Sequence, residues 1–147
     1  MELVFKKAGL EDITDIVNLC NECFDENTDL DYAKSSFTQT MNDPNQIYII
    51  GRIDGIAVAH LKITIIPTMY QPMSTYAILN HVCVKPDYRR HNIATHMLDV
   101  AKTICMKHGC AKIELWSNNF RKAAHSCYQH YGFGIDDAKF FSLDISK

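Results

Sequence analysis

The stretch 46–66 constrains the fold more than any other part of this sequence. It reads QIYIIGRIDGIAVAHLKITII, two runs rich in β-branched residues on either side of Asp54-Gly55. Such runs favour strands, and Asp-Gly is a favoured dipeptide for tight hairpin turns. A third β-rich run covers 75–84, and Pro86 ends it because proline cannot donate to a strand ladder. The chain is therefore expected to contain an antiparallel meander.

Helical segments and further strands surround this meander. Apolar side chains recur every three to four residues in four segments, which predicts helices there. Shorter β-rich runs lie before, between and after them. Helices are expected at 11–24, 31–41, 92–106 and 121–131, and further strands at 4–7, 112–116 and 139–145.

The resulting order, β-α-α-β-β-β-α-β-α-β, predicts the fold class. It indicates an α+β fold with a mixed, mostly antiparallel central sheet flanked by helices. A chain of 147 residues fits one domain, and neither a repeat nor a linker interrupts it. We therefore expect a single domain over 1–147.

Composition excludes several classes of protein. The formal charge of -2 argues against a nucleic-acid binder that depends on a basic surface. No apolar run approaches the roughly 20 residues needed to span a bilayer, so no membrane partner is expected. The start, MELV, lacks the basic residues of a signal peptide, and a cytoplasmic location is predicted.

The six cysteines raise the question of a metal or redox site. Cys20 and Cys23 form a CxxC pair, but no second pair follows to complete four zinc ligands. The pair also lies inside a helical pattern. We interpret the cysteines as small core hydrophobes and expect no metal.

A strand-loop-helix junction at 82–98 carries the clearest chemistry. It reads VCVKPDYRRHNIATHML. The first N–H groups of a helix lack internal partners and the helix dipole adds positive charge there, so this end binds anions. Arg89 and Arg90 supply guanidinium groups suited to phosphate, and Asn92 tolerates left-handed backbone better than most residues. The junction is typical of a phosphate-binding loop.

The junction resembles motif A of the GNAT superfamily of N-acetyltransferases. That motif is a hydrophobic strand followed by V-x-P-x-x-R-x-x-G-x-[GA], and Asn92 stands here where the family usually has glycine. The resemblance implies acetyl-CoA as the cosubstrate. It implies contacts to the pantetheine arm from Val82, Cys83 and Val84, and contacts around the pyrophosphate from Arg89, Arg90, His91, Asn92, Ile93, Ala94 and Thr95.

Residues 121–133 resemble motif B of the same superfamily. They read RKAAHSCYQHYGF, which fits the variant R-x-x-A-H-x-[FC]-Y-x-x-x-G-F. By this resemblance Tyr128 is the general acid that protonates the leaving thiolate. The chemistry agrees, because a phenol with a pKa of about 10 is protonated at neutral pH and a thiol has a pKa of about 8.5.

The group that removes the proton from the amine is left open. Many GNAT members carry a glutamate on the strand before motif A, and the matching residue here is Asn80, which cannot take up a proton. His81 is adjacent, but strand alternation directs it to the opposite face unless a bulge intervenes, as is typical of this strand in GNAT folds. His81 and a water chain ending elsewhere are both candidates for the base.

The acceptor is expected to be a small-molecule primary amine. Acidic residues between the first two helices, including Asp25 and Glu26, could attract a cationic amine, and Tyr70 and Asn80 are further candidate contacts. The function expected is direct acetyl transfer from acetyl-CoA to that amine in a ternary complex. The alternatives are a CoA-binding regulatory module without catalysis and an acetyltransferase acting on protein N-termini or lysines. The oligomeric state is left open, with a homodimer as one option.

Overall fold

A five-stranded sheet dominates the structure. The computed structural model describes residues 2–146. The strands lie side by side in chain order, with the first three pairs antiparallel and the last pair parallel. This topology confirms the predicted mixed, mostly antiparallel α+β fold. The strands are β1 (Leu3–Lys7), β2 (Gln46–Ile53), β3 (Ile56–Ile66), β4 (Tyr76–Val84) and β5 (Lys112–Glu114).

The β2–β3 hairpin turns at the predicted Asp54-Gly55. Both residues have positive φ, 49° and 80°, which is the requirement of a type I′ turn. The twist of such a turn matches that of the strands it joins. The hairpin register buries Ile50 of β2 and Leu61 of β3 completely. The turn therefore fixes which face of each strand enters the core.

The described α-helices are α1 (Ile13–Phe24), α2 (Leu30–Thr40), α3 (Ile93–Lys107) and α4 (Lys122–Tyr131). The predicted apolar stripe of α1 is buried at Ile13, Ile16 and Val17, and that of α3 at Met97 and Ala101. Burying one large side chain of this kind stabilises a fold by about 1.5–3 kcal/mol. Packing of these stripes, more than helix propensity, keeps both helices in place.

A buried carboxylate attaches the start of α1 to the sheet. Asp12, which is 3% exposed, accepts hydrogen bonds from the Gly9 N–H and Arg52 Nη2, both at 2.9 Å, and pairs with Lys6 Nζ at 3.1 Å. Burial alone would raise the pKa of Asp12, but the hydrogen bonds from Gly9, Arg52 and Lys6 outweigh burial and lower it. The carboxylate therefore holds β1, β2 and the start of α1 together.

The chain divides into two compact units. One extends as far as Trp116 and holds the sheet with α1, α2 and α3; the other begins at Ser117 and holds α4. Among residues 2–146, no helix is both long enough and apolar enough to cross a membrane. The expected single domain over 1–147 stays a prediction.

The prediction of a strand at 139–145 is wrong. After α4, the described part of the chain contains no strand, and Phe141, Leu143 and Ile145 are at least 85% exposed. A strand needs a neighbouring strand edge for its backbone hydrogen bonds. The unit that contains this segment has α4 but no described strand, so it offers no strand edge with which the backbone at 139–145 could pair.

Candidate active site

β4 is interrupted by a bulge at 81–82. Asn80 pairs with Lys62 and Cys83 pairs with His60, so two residues of β4 lie opposite a single residue of β3. The first bulge residue has a φ of 52°, a left-handed conformation. The bulge breaks the strict alternation of side chains along β4. This is the geometry that a role for His81 requires.

His81 is oriented by a carboxylate from the loop after α1. Its Nε2 lies 3.0 Å from Glu26 Oε2, and its ring contacts the ring of Phe24 edge-on with centroids 5.0 Å apart. A carboxylate only accepts hydrogen bonds, so Nε2 carries the hydrogen and Nδ1 of the neutral ring keeps a lone pair. The His81 side chain is 47% exposed, so a bound molecule can reach it. The pair is suited to accepting a proton.

Beyond the bulge, one edge of β4 is open. β5 pairs with β4 only from Tyr76 to Ile78, and no other strand among the described residues lies along the rest of that edge. The Lys85 N–H donates to Val58 O on the β3 side, so alternation directs the N–H and C=O of Val84 toward the open edge. An extended chain with amide groups could therefore add here as a strand.

The loop that follows β4 turns twice through left-handed backbone. Arg90 and Asn92 have φ values of 68° and 60°, and α3 begins directly afterwards at Ile93. The first helical bond of this segment runs from His96 N–H to Asn92 O at 3.1 Å, so the N–H groups at 93–95 precede the helical ladder. Arg90, His91 and Asn92 are exposed, whereas Ile93 is buried. The loop forms an exposed rim around a helix N-terminus.

Arg89 points back onto the end of β4. Its Nε donates to Val84 O at 3.0 Å, and the Cys23 thiol at the end of α1 lies 3.5 Å from the same oxygen. One edge of the guanidinium therefore orients the loop, which leaves its remaining donors for an anion. Arg89 connects the open strand edge with the helix N-terminus.

The other predicted residues lie in loops, on β4 or in the second unit. Asp25 caps the C-terminus of α1 with left-handed backbone, and Tyr70 is 57% exposed in the loop between β3 and β4. Asn80 is half-buried on β4, directly before the bulge. Tyr128 is half-buried on α4, where its ring contacts Phe133 edge-on with centroids 5.8 Å apart.

A cleft of about 270 Å³ opens between α1 and the β2–β3 turn. It contains none of the predicted site residues. Its lining is Asp15, Asn18, Leu19, Glu22, Gly55, Ile56, Ala57 and Lys85.

The family assignment follows from the match of the sequence to a family model. The sequence matches the model of the Acetyltransferase (GNAT) family over residues 10–133, which is most of the chain. The chain belongs to this family. No curated protein matches it. The match includes both segments in which the sequence resembles the GNAT motifs.

Solved structures share the GNAT fold of this chain at low identity. An aminoglycoside 6'-N-acetyltransferase from Acinetobacter baumannii has a TM-score of 0.81 at 18% identity, covering 99% of this chain and 100% of its own. An acetyltransferase assigned by prediction from Clostridium acetobutylicum, solved with acetyl-CoA, has a TM-score of 0.78 at 20% identity, covering 98% and 97%. A transcriptional regulator from Bacillus halodurans has a TM-score of 0.88 at 18% identity, covering 98% and 100%. At such identities the likeness establishes the fold alone.

Two features of this GNAT chain could not be predicted from its sequence. The pairing of His81 with Glu26 joins residues from β4 and the loop after α1, and no local pattern indicates it. His60 is 3% exposed, and burial lowers its pKa to about 4 while its Nδ1 lies 2.8 Å from Ile49 O. The only sequence signal for His60 is a histidine within the β-rich run AVAHLKI. It lies opposite Cys83, directly beyond the bulge.

Proposed function

We propose that this GNAT protein transfers the acetyl group of acetyl-CoA to the primary amine of a small molecule, with both substrates bound together. The open edge of β4 beyond Ile78, next to the rim at 89–92, carries the proposal. The pantetheine arm, which contains amides, fits that edge as an added strand. The diphosphate fits the free N–H groups at 93–95, with Arg89 and Arg90 beside them.

His81 is proposed as the base that takes the proton of the amine. An alkylammonium must lose a proton before its nitrogen can attack the thioester carbonyl. Glu26 holds the His81 ring at 3.0 Å with Nε2–H toward the carboxylate, so Nδ1 accepts the proton. As the imidazolium forms, the Glu26 charge stabilises it. The bulge at 81–82 thus supplies a base where Asn80 cannot.

Backbone groups and Tyr128 are proposed to stabilise the rest of the reaction. The Val84 N–H, directed to the open edge of β4, is our candidate donor to the oxyanion that develops on the carbonyl. When the C–S bond breaks, the thiolate of CoA leaves, and the phenol of Tyr128 is proposed to give it a proton. The position of Tyr128 in the motif B segment supports this role.

Replacing Tyr128 with phenylalanine tests the proposed acid. Phenylalanine keeps the ring that contacts Phe133 and removes only the hydroxyl. Loss of a general acid typically lowers kcat about 10²- to 10⁴-fold. We expect such a loss in steady-state kinetics, with an unchanged acetyl-CoA Kd by calorimetry. Tyr131→Phe, on the same helix, is the matched control; full activity of the Tyr128 variant contradicts the assignment.

The acceptor is proposed to be a cationic amine. Asp25 and Glu26 give the loop after α1 a negative field, and Tyr70 and Asn80 are proposed as further contacts. The aminoglycoside acetyltransferase among the similar structures acts on molecules of this charge. A cytoplasmic location is proposed with this function, since acetyl-CoA serves as the donor.

A thiol-release assay with a panel of amines tests the function. The panel holds aminoglycosides, polyamines, lysine-like amines and a peptide with a free N-terminus, each with acetyl-CoA and two longer acyl-CoAs. We expect CoA release with at least one small amine and with acetyl-CoA preferred. Thermal stabilisation by acetyl-CoA without any release would instead favour the regulatory module. Release with the peptide alone would favour a protein acetyltransferase.

A further inference from the structure

A lysine lies on the sheet face that packs against α2, next to the proposed acceptor site. Lys62 of β3 pairs across the ladder with Asn80 of β4, the last residue before the bulge. Its Nζ donates to Gln46 Oε1 at 2.9 Å and lies 5.1 Å from the centre of the Tyr48 ring. The Tyr48 ring in turn packs edge-on against Phe37 of α2, with centroids 5.2 Å apart. The Lys62 side chain therefore projects on the α2 side of the sheet.

His81, the proposed base, adjoins the same part of the sheet. Its ring contacts that of Phe24, and Phe24 and Tyr48 both pack against one hydrophobic cluster of α1, α2 and the sheet. Asn80 directly precedes His81 in β4, and residues paired across an antiparallel ladder have Cα atoms about 4.5–5.5 Å apart. One small molecule can therefore contact Lys62 and His81 together.

The ammonium group of Lys62 contacts a neutral amide and an aromatic ring. Within residues 2–146, no carboxylate lies within 4.0 Å of its Nζ, whereas Lys85 Nζ and Lys112 Nζ lie 2.9 and 2.8 Å from carboxylate oxygens. Asp43 is linked to Lys62 through Gln46, whose Nε2 donates to Asp43 Oδ2 at 3.2 Å. The Lys62 side chain is half-buried, which limits its hydration. A half-buried cation without a carboxylate in contact attracts an anion more strongly than an exposed one does.

We propose that Lys62 binds an anionic group, a carboxylate or a phosphate, on the amine that accepts the acetyl group. The proposal rests on the proposed acetyl transfer and specifies its acceptor. Glu26 and its neighbours attract the ammonium end of the molecule toward His81, and Lys62 attracts the anionic end. Opposite charges at its two ends orient the acceptor with its amine at the base. The anionic group binds and takes no part in the bond changes.

The direction of the Lys62 side chain sets the spacing between the two charges of the acceptor. Its Nζ reaches Gln46, which pairs with Thr64, two residues farther along β3 from the bulge. A strand advances about 3.4 Å per residue, so the ammonium extends away from His81. The anion is therefore expected several bonds from the reacting amine. Amino acids that react through a terminal side-chain amine and aminoalkyl phosphates have this spacing, whereas an amine and a carboxylate on one carbon do not.

Matched pairs of amines test the proposal in the thiol-release assay. δ-Aminovalerate is compared with its neutral amide, and aminopropyl phosphate with aminopropanol, so that each pair differs in the anion and shares the reacting amine. We expect kcat/KM to be about 10- to 100-fold higher for the anionic member of at least one pair, the usual contribution of a hydrogen bond to a charged group. The two pairs show which anion fits. Glycine should be a much poorer acceptor than δ-aminovalerate.

Variants of Lys62 assign the preference to this side chain. Lys62→Gln removes the charge and should remove the preference, through a higher KM of the anionic member, with an unchanged acetyl-CoA Kd by calorimetry. Lys62→Arg keeps the charge and should keep the preference. Lys112→Gln is the matched control, because Glu114 already neutralises that lysine at 2.8 Å, and it should keep the preference. If Lys62→Gln does not fold, Lys62→Met, which keeps an unbranched chain over Tyr48, takes its place.

Two kinetic results overturn the proposal while leaving acetyl transfer intact. One is an equal kcat/KM within both pairs for the natural chain. The other is an equal loss for both members of a pair in Lys62→Gln, which is expected if Lys62 only supports Gln46 and Tyr48. If no amine releases CoA, the proposed function fails, and calorimetry with the same pairs decides separately about Lys62. Tighter binding of an anionic member by the natural chain and not by Lys62→Gln supports the site; equal binding, or none, overturns it.

Discussion

At the scale of single residues, His81 has the most direct bearing on the chemistry. Its ring is reachable from solvent, Glu26 fixes its orientation through Nε2, and the backbone of the bulge releases it from strand alternation. A histidine at this place could also serve only to pack against Phe24. The two roles predict different dependence on pH, so kinetics can separate them.

We expect His81→Gln to lower kcat/KM about 10²-fold or more near neutral pH, the usual contribution of a general base. The loss should shrink as pH rises toward the pKa of the amine, about 10, because the substrate then arrives already deprotonated. A purely structural role would give a loss that does not change with pH. Steady-state kinetics between pH 6.5 and 9.5 are the measurement. His108→Gln, an exposed histidine at the far end of α3, is the matched control.

The residue scale also marks where sequence reasoning ends. That His81 requires a bulge could be predicted, because alternation along a strand is a local property. Its partnership with Glu26 could not, because it depends on how the loop after α1 meets β4. The cysteines show the same limit. Cys20 and Cys83 are buried, which fits a role in the core, but their membership of one cluster across α1 and β4 is set by packing between elements.

At the scale of elements, the sequence predicts most of the fold because most elements have local signals. The Asp54-Gly55 turn and the apolar stripes of α1 and α3 form as expected. The prediction of a strand at 139–145 is wrong because a strand depends on a partner edge elsewhere in the chain. The length of β5 also depends on its pairing with β4 and not on local sequence alone. Because β5 is short, most of that edge of β4 stays open. The proposed cofactor site thus depends on a strand that stops early.

The junction between β4 and α3 gives a prediction at this scale. Asn92 has a φ of 60°, which asparagine and glycine tolerate and which costs alanine about 1–2 kcal/mol. We expect Asn92→Ala to weaken acetyl-CoA binding about tenfold, because the loop must regain that backbone to present the N–H groups at 93–95. Calorimetry gives the Kd.

The control for Asn92 imposes the same strain elsewhere. Asn92→Gly restores the residue usual in motif A and should bind acetyl-CoA at least as tightly as the natural chain. Ser74→Ala places alanine at a φ of 56° in the loop before β4 and should leave the Kd unchanged. If Asn92→Ala binds as tightly as the natural chain, the backbone at Asn92 does not form the diphosphate site.

At the scale of the whole molecule, burial of a titratable group links folding to pH. His60 is 3% exposed at the centre of the sheet, and burial lowers its pKa to about 4, below the usual value of about 6.5. Below pH 6.5 His60 binds a proton in the unfolded chain but stays neutral in the folded chain until the pH nears 4. The stability contributed by neutral His60 is therefore complete above about pH 6.5 and declines as the pH falls toward 4.

Between pH 7.5 and pH 5.0 this linkage is expected to cost about 2 kcal/mol of unfolding free energy, at 1.36 kcal/mol per pKa unit. His60→Asn keeps an N–H donor toward Ile49 O and cannot titrate, so its free energy of unfolding should fall less over the same interval. At pH 7.5 that variant should be less stable than the natural chain. Urea unfolding at both pH values is the measurement, with His108→Asn as the exposed control. At pH 5.0 most carboxylates are still ionised, so the difference reports histidine. An equal loss in the natural chain and in His60→Asn would show that His60 is not held neutral by the fold.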